Sequence, residues 1–232
     1  MSGNHSMKIY SVNSRIRLSD TLYEELLKLV DLDYQERILR YRFWEDRQRS
    51  LFGCLLSRYA IIKNFGLRND EIKITENEYG KPFVSECGKI YFNVSHSGDW
   101  VVCVINNSVV GIDVQEIESI ELSIAERFFT KEENDYLLSL KVNDRLQGFY
   151  DIWSLKEAYI KALGIGFSMP LNKFSVVKSE DGFKVKETSD TEFYFKQYPI
   201  DKEYKLSVCS KKNNFCHTIE SLTINDIRVV FQ

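Results

Sequence analysis

The stretch Trp100-Val101-Val102-Cys103-Val104-Ile105-Asn106-Asn107-Ser108-Val109-Val110-Gly111-Ile112-Asp113 decides the fold of this chain. Apolar, mostly β-branched residues fill both of its ends, which predicts two successive strands. Asn106 and Asn107 lie between these strands and are typical of a turn. Further strand-like runs lie on both sides of the stretch, at 72–75 and 89–94 before it and near 173–178, 183–187, 191–198 and 204–210 after it.

Helical patterns alternate with these strands. Apolar residues recur at helical spacing from Leu22 onward, after a plausible N-cap at Ser19, and again in a longer pattern from about 34 to 64. Two more helices are predicted near 130–140 and 145–163. The order strand, helices, strands therefore occurs twice.

This repeated order predicts an α+β protein of two similar, pseudo-symmetric α/β halves with a ligand cleft between them. We expect residues 7–107 to form the N-terminal half and residues 108–232 the C-terminal half. Residues 1–6 precede a second methionine, Met7, and we attribute them to a remnant of cloning outside the fold.

Composition narrows the class of protein. The 232 residues are 44% hydrophobic and 28% charged, and the formal net charge of −3 gives no whole-chain electrostatic reason to bind nucleic acid. The five cysteines, an odd number without a C-x-x-C pair, are typical of reduced, buried thiols in a cytoplasmic protein. We also expect no membrane association, because no apolar run approaches the roughly 18 residues of a membrane span.

Two acidic residues far apart in the sequence are candidates for a shared metal site. Asp113 ends an apolar run, and Glu157 lies in the predicted helix Trp153-Ser154-Leu155-Lys156-Glu157-Ala158-Tyr159-Ile160-Lys161. Two carboxylates in a cleft suit Mg²⁺, and a metal, a lysine and a phosphate form one electrostatic unit in phosphoryl transfer. The alternatives are that Asp113 ends a strand facing water, and that Glu157 and Lys161 form an i,i+4 surface pair of about 0.2–0.5 kcal/mol.

An ordered set of motifs links the chain to a known family. The set comprises Tyr79-Gly80-Lys81-Pro82, Phe92-Asn93-Val94-Ser95-His96-Ser97-Gly98-Asp99-Trp100, Gly111-Ile112-Asp113-Val114, Phe128-Phe129-Thr130-Lys131-Glu132-Glu133 and Trp153–Lys161. In these motifs and their order, the chain resembles the 4′-phosphopantetheinyl transferases of the Sfp (surfactin synthetase-activating) type. The resemblance implies a monomeric enzyme that binds coenzyme A and Mg²⁺ between its halves. Such an enzyme moves the phosphopantetheine arm to a serine of an apo acyl or peptidyl carrier protein, as in nonribosomal peptide or polyketide synthesis, and releases 3′,5′-ADP.

The resemblance also implies roles for the acidic residues. It makes Asp113 and Glu157 ligands of Mg²⁺ and directs Lys161 to the pyrophosphate of coenzyme A. Gln115 lies where relatives often have a further glutamate ligand; its amide oxygen can still coordinate a metal but contributes no charge. Glu133 has two interpretations: Thr130 and Glu133 fit a capping box, whereas the family's glutamate at this place is proposed as the general base for the carrier serine.

The nucleotide end of coenzyme A is assigned by the same resemblance. His96, with Ser95 beside it in a predicted polar turn, is placed at the 3′-phosphate together with Arg37 and Arg49, and Lys81 is a further phosphate contact. The alternative for the arginines is a solvated helix face. A rival function is a non-catalytic coenzyme A-binding or carrier-docking module, and a third is a metal-dependent phosphohydrolase.

Overall fold

The computed structural model describes residues 6–85, 89–179, 182–186 and 192–231. Residues 1–5, most of the segment attributed to cloning, lie outside the described residues. The strands are β1 (Lys8–Asn13), β2 (Ile74–Glu76), β3 (Pro82–Val84), β4 (Tyr91–Ser97), β5 (Trp100–Asn106), β6 (Val110–Glu116), β7 (Ser175–Ser179), β8 (Gly182–Lys186), β9 (Tyr194–Tyr198), β10 (Tyr204–Ser210) and β11 (Glu220–Leu222). The α-helices are α1 (Asp20–Leu27), α2 (Leu32–Leu39), α3 (Trp44–Phe65), α4 (Ala125–Phe128), α5 (Lys131–Ser139), α6 (Arg145–Leu163) and α7 (Ile224–Arg228).

The chain is an α+β protein with two α/β halves, which confirms the predicted class. The first half contains a sheet of order β11-β1-β5-β4, and the second contains a sheet of order β6-β10-β9. Helix α3 packs on β5 of the first sheet, while α6 packs on β6 and β10 of the second. The stretch quoted above supplies β5 and β6, so it runs from one sheet into the other.

The long helical pattern from 34 to 64 is divided into two helices. Helix α2 ends at Leu39 and α3 begins at Trp44, after Phe43 in an extended conformation with φ −95° and ψ 144°. The Arg47 Nε donates a hydrogen bond to the Tyr41 carbonyl oxygen (2.7 Å), which holds the connection in place. The prediction of one continuous helix was wrong because apolar periodicity persists across this bend. As a result, Arg37 and Arg49 lie on different helices.

Side chains of β4 join the two halves. Ser95, His96 and Ser97, predicted as a turn, continue strand β4, and the turn follows at Gly98. Side-chain oxygens at alternate positions of β4 accept hydrogen bonds from alternate backbone amides of β6: Asn93 Oδ1 from Ile112 (2.9 Å), Ser95 Oγ from Val114 (3.2 Å) and Ser97 Oγ from Glu116 (3.0 Å). These three bonds satisfy the β6 amides that point away from β10, the other neighbour of β6. Alternate residues of a strand point in opposite directions, so β10 cannot accept from them.

Helix α6 lies unusually close to β6 at Gly111. A Cβ added there would lie 2.2 Å from the Ala158 carbonyl oxygen and 2.3 Å from the Ala162 nitrogen. Only glycine permits this approach, which brings the last turns of α6 directly onto the strand that carries Asp113.

The C-terminal segment returns to the first half. Strand β11 pairs in parallel with β1, and Leu222 and Ile227 are buried in the core of the first half. The proposed division at residues 107 and 108 therefore does not describe the last segment of the chain. Among the described residues, no helix combines the length and apolar character needed to cross a membrane.

Candidate active site

Asp113 is the centre of a buried polar network. It lies in the middle of β6 with 1% of its surface exposed. Its Oδ1 accepts hydrogen bonds from the Lys161 ammonium (2.6 Å) and the Ser95 hydroxyl (3.1 Å), and its Oδ2 accepts one from Gln115 Nε2 (2.9 Å). The interpretation of Asp113 as a strand end facing water is therefore wrong.

Glu157 brings a second carboxylate to the same place. It lies one turn before Lys161 on α6, is 8% exposed, and its Oε1 is buried without a hydrogen-bond partner in the described part of the chain. The pKa of Glu157 is raised to about 7, chiefly by burial and also by the charge of Asp113, while the charge of Lys161 opposes the shift. Lys161 bonds instead to Asp113 and to Ser95 Oγ (2.8 Å), so the prediction of a simple surface pair was wrong.

Asp113 and Glu157 fit a hard divalent cation. Two carboxylates approach each other closely enough to interact, and one buried carboxylate oxygen has no partner in the described structure. The described residues contain no group of three or more His, Cys, Asp or Glu side chains arranged for a metal. Mg²⁺ needs no such group, because it usually binds one or two carboxylates and completes its coordination with waters and substrate phosphates.

The raised pKa of Glu157 predicts a pH effect on stability in metal-free buffer. Between about pH 4.5 and 7 the folded protein retains a proton that the unfolded chain has lost, so the free energy of unfolding should fall as pH rises. We expect the wild type to lose on the order of 2–3 kcal/mol relative to Glu157→Gln over this interval. Urea unfolding of the wild type and of Glu157→Gln, in buffer with a chelator, measures the difference. If the free energies of unfolding of the two proteins changed equally with pH, the raised pKa of Glu157 would be contradicted.

Glu133 is enclosed in the second half. It caps α5, since its Oε2 accepts from the Thr130 amide (2.9 Å) while the Thr130 hydroxyl accepts from the Glu133 amide (3.3 Å). Its Oε1 accepts from the Val176 amide (2.8 Å), and both oxygens accept from the Lys156 ammonium at 2.6 and 2.7 Å. The predicted capping box is present, and Glu133 is also held in a buried ion pair with Lys156.

Two of the predicted nucleotide-binding residues share a cavity in the first half. Arg37 of α2 and His96 of β4 line a cavity of about 210 Å³ that Tyr34, Tyr41 and Glu76 also line. His96 is solvent-accessible on this concave surface. Its pKa lies below the ordinary value because surrounding protein displaces water and because the charges of Lys161 and Arg49 are near. A larger cavity of about 400 Å³ contains neither carboxylate of the network around Asp113.

Arg49 lies beside this cavity and holds the turn that follows His96. Its guanidinium donates to the Gly98 carbonyl oxygen (2.9 Å) and to the Asp46 carboxylate (2.7 Å). Ser95, predicted to contact phosphate, is buried and its hydroxyl serves the network of Asp113, Lys161 and the Val114 amide. The structure therefore assigns Ser95 to the carboxylate network.

Lys81 reaches across to the second half. Its ammonium donates to the Ala162 carbonyl oxygen (2.9 Å) near the end of α6 and to the Val110 carbonyl oxygen (3.2 Å) at the start of β6. Asn77, from the same turn, donates to the Gly164 carbonyl oxygen (2.8 Å). Burial lowers the pKa of Lys81 to about 8. This geometry does not support the predicted phosphate contact; Lys81 tethers the helix end that carries Lys161, where a positive charge suits the helix dipole.

We therefore expect Lys81→Met to show whether Lys81 tethers the end of α6 or contacts a phosphate of coenzyme A. Loss of the tether should slow transfer about tenfold, because small displacements of positioned groups are costly, and should leave the Kd for coenzyme A within about twofold. Lys89→Met, an exposed lysine in the same half, is the control. If Lys81→Met instead weakened coenzyme A binding and left the rate of transfer unchanged, Lys81 would be a phosphate contact.

Sequence reasoning missed the partners of several residues. Lys156 precedes Glu157 directly in the sequence, but it is wholly buried and binds Glu133. Glu76, which pairs with Arg37, had no signal in the sequence at all. A helical wheel was a usable signal for Lys156, because adjacent helix residues differ by about 100° and so Lys156 and Glu157 face different ways.

Comparison with known proteins shows similarity over almost the whole chain. Residues 109–219 match a model of the 4′-phosphopantetheinyl transferase superfamily, and residues 18–108 match one of the N-terminal region of 4′-phosphopantetheinyl transferases. The 4′-phosphopantetheinyl transferase Sfp of Bacillus subtilis (strain 168) is 34% identical over 223 residues, which cover 95% of this chain and 100% of that protein. The 4′-phosphopantetheinyl transferase gsp of Aneurinibacillus migulanus is 36% identical over 201 residues, which cover 86% of this chain and 82% of the relative.

Proposed function

Since the chain belongs to the Sfp-type 4′-phosphopantetheinyl transferases, we propose that its reaction takes place at Asp113 and Glu157 and depends on Mg²⁺. The enzyme transfers the 4′-phosphopantetheine arm of coenzyme A to a serine of a carrier protein. The observation that carries the proposed site is the buried Glu157 Oε1, which has no hydrogen-bond partner among the described residues, next to the pair of Asp113 and Lys161.

In this proposal Asp113 and Glu157 hold the metal, with Gln115 beside them. Bound Mg²⁺ would neutralise charge on the pyrophosphate of coenzyme A. The carrier serine oxygen forms a bond to the β-phosphorus and its hydroxyl proton is released. The bond from that phosphorus to the bridging oxygen breaks, and 3′,5′-ADP leaves with the bridging oxygen. Lys161, 28% exposed at the edge of the network, lies where it can contact the pyrophosphate.

The nucleotide end lies in the cavity lined by Arg37 and His96, with Arg49 at the adjoining turn. These groups provide the charge-assisted hydrogen bonds that a phosphate requires. Arg37 and His96 belong to the first half and Asp113 and Glu157 to the second, so one chain supplies both sides of the proposed site, and we infer a monomeric enzyme. The four described cysteines are free thiols, three of them buried, which supports a reducing cytoplasmic location.

The decisive experiment is incubation of an apo carrier protein with the enzyme, coenzyme A and Mg²⁺. The carrier should gain the mass of one phosphopantetheine, and 3′,5′-ADP should be released in equal amount. Binding of coenzyme A without a mass shift would indicate the non-catalytic module, and cleavage of coenzyme A without carrier would indicate a phosphohydrolase.

Gln115 provides a specific test of the metal site. Its amide nitrogen donates to Asp113, so Gln115→Glu places a third carboxylate beside the first two. We expect the Mg²⁺ concentration for half-maximal transfer to fall about five- to tenfold, because added ligand charge tightens binding of hard cations. Gln147→Glu adds the same charge on α6 about 15 Å from Glu157 and is the control. An unchanged Mg²⁺ titration would place Gln115 outside the coordination sphere.

A further inference from the structure

The guanidinium assigned to the 3′-phosphate already holds a carboxylate. Arg37 of α2 donates through Nη1 to Oε1 of Glu76 on β2, in a short ion pair at the cavity lining. The side chains are 54% and 37% exposed, so the pair lies at the mouth of the cavity rather than in the core. An incoming phosphate meets Glu76 as soon as it approaches Arg37.

Phosphate and carboxylate compete for the same donors. Both accept the planar pair of N–H groups that a guanidinium presents, so a phosphate must displace Glu76 or accept a second negative charge beside it. A second carboxylate in the cavity lining, Asp31, pairs with the buried Arg58, so it is occupied elsewhere. The direct competition at Arg37 therefore comes from Glu76.

Arg37 does not depend on Glu76 alone for its position. The Tyr34 ring lies against the guanidinium, with its centroid 5.7 Å from Cζ. Such cation–π contact holds the side chain against one wall of the cavity. Removing the carboxylate should therefore leave Arg37 near its present place with its donors available.

We propose that Glu76 is a specificity-determining residue whose carboxylate competes with the 3′-phosphate of coenzyme A for Arg37. This inference rests on the proposed nucleotide end of the site. Glu76 weakens the binding of coenzyme A and narrows its preference over dephospho-coenzyme A, which lacks that phosphate. Glu76 thus sets how strongly the binding of coenzyme A depends on its 3′-phosphate.

The test is the Kd for coenzyme A and for dephospho-coenzyme A, measured by calorimetry without carrier so that no turnover occurs. Glu76→Gln should tighten coenzyme A binding about two- to fivefold, the range expected for one exposed ion pair, and change dephospho-coenzyme A little. Glu78→Gln removes the same charge from an exposed position in the turn that follows β2, and it should affect both ligands equally. In an Arg37→Ala background, Glu76→Gln should lose its effect on coenzyme A.

The outcomes separate this inference from the proposed function. If Arg37→Ala removes the preference for coenzyme A but Glu76→Gln weakens binding or acts like Glu78→Gln, the competition is overturned and the nucleotide site stands. If Arg37→Ala leaves the preference intact, Arg37 does not bind the 3′-phosphate, and both the proposed nucleotide end and the inference fail.

Discussion

Transfer activity is expected to fall about a hundred- to a thousandfold when Glu157 is replaced by glutamine, while the protein remains folded. Glutamine preserves the shape of the side chain but removes the negative charge of the carboxylate, whose Oε1 is buried and has no hydrogen-bond partner in the part of the chain that the structure describes. Groups that stabilise charge in a dry site account for losses of this size. Folding should not suffer, because burial and the charge of Asp113 already disfavour the ionised form of Glu157.

The measurement is the rate of apo to holo carrier conversion at saturating coenzyme A and over a range of Mg²⁺ concentrations. Glu24→Gln, an exposed residue of α1, is the matched control and should retain full activity. Asp113→Asn should lose activity as severely, since it removes the partner of Lys161. Wild-type rates with an unchanged Mg²⁺ dependence in either variant would show that the carboxylates do not form the site.

The second large effect concerns the stability of the buried pair of Glu133 and Lys156. Both side chains are essentially inaccessible to solvent, so removal of one charge leaves the other buried and uncompensated. Glu133→Gln or Lys156→Met alone should lower the free energy of unfolding by about 3–5 kcal/mol. The double variant removes both charges, so part of the loss should be recovered, although one backbone amide and the Phe174 carbonyl oxygen lose their partners.

The same double variant decides whether Glu133 acts as a base. A structural role requires that transfer activity recover together with stability, because no charge of Glu133 takes part in the reaction. A general base requires that activity stay low in the double variant even though it is folded. Chemical unfolding and the carrier conversion assay, performed on the same preparations, distinguish the two results.

Local sequence determined most of the elements and the identity of the acidic pair, but not the break between α2 and α3 or the extension of β4 through Ser97. The two apolar runs in Trp100–Asp113 were sufficient for β5 and β6, and the pattern of Arg145–Leu163 was sufficient for α6. The capping box at Thr130 and Glu133 was also readable, because its hydrogen bonds span three residues. Asp113 and Glu157 were recognised from residue type, motif order and family resemblance rather than from proximity.

Only the tertiary structure decided which charges meet. Glu133 meets Lys156, Lys161 meets Asp113, and Lys81 reaches the carbonyl end of α6, although 23 to 81 residues separate the partners. Such pairings depend on how two sheets and two helices pack, and in particular on the approach that Gly111 permits. The propensities and periods of a sequence act over a few residues, so they specify elements but not the side chains that elements bring together.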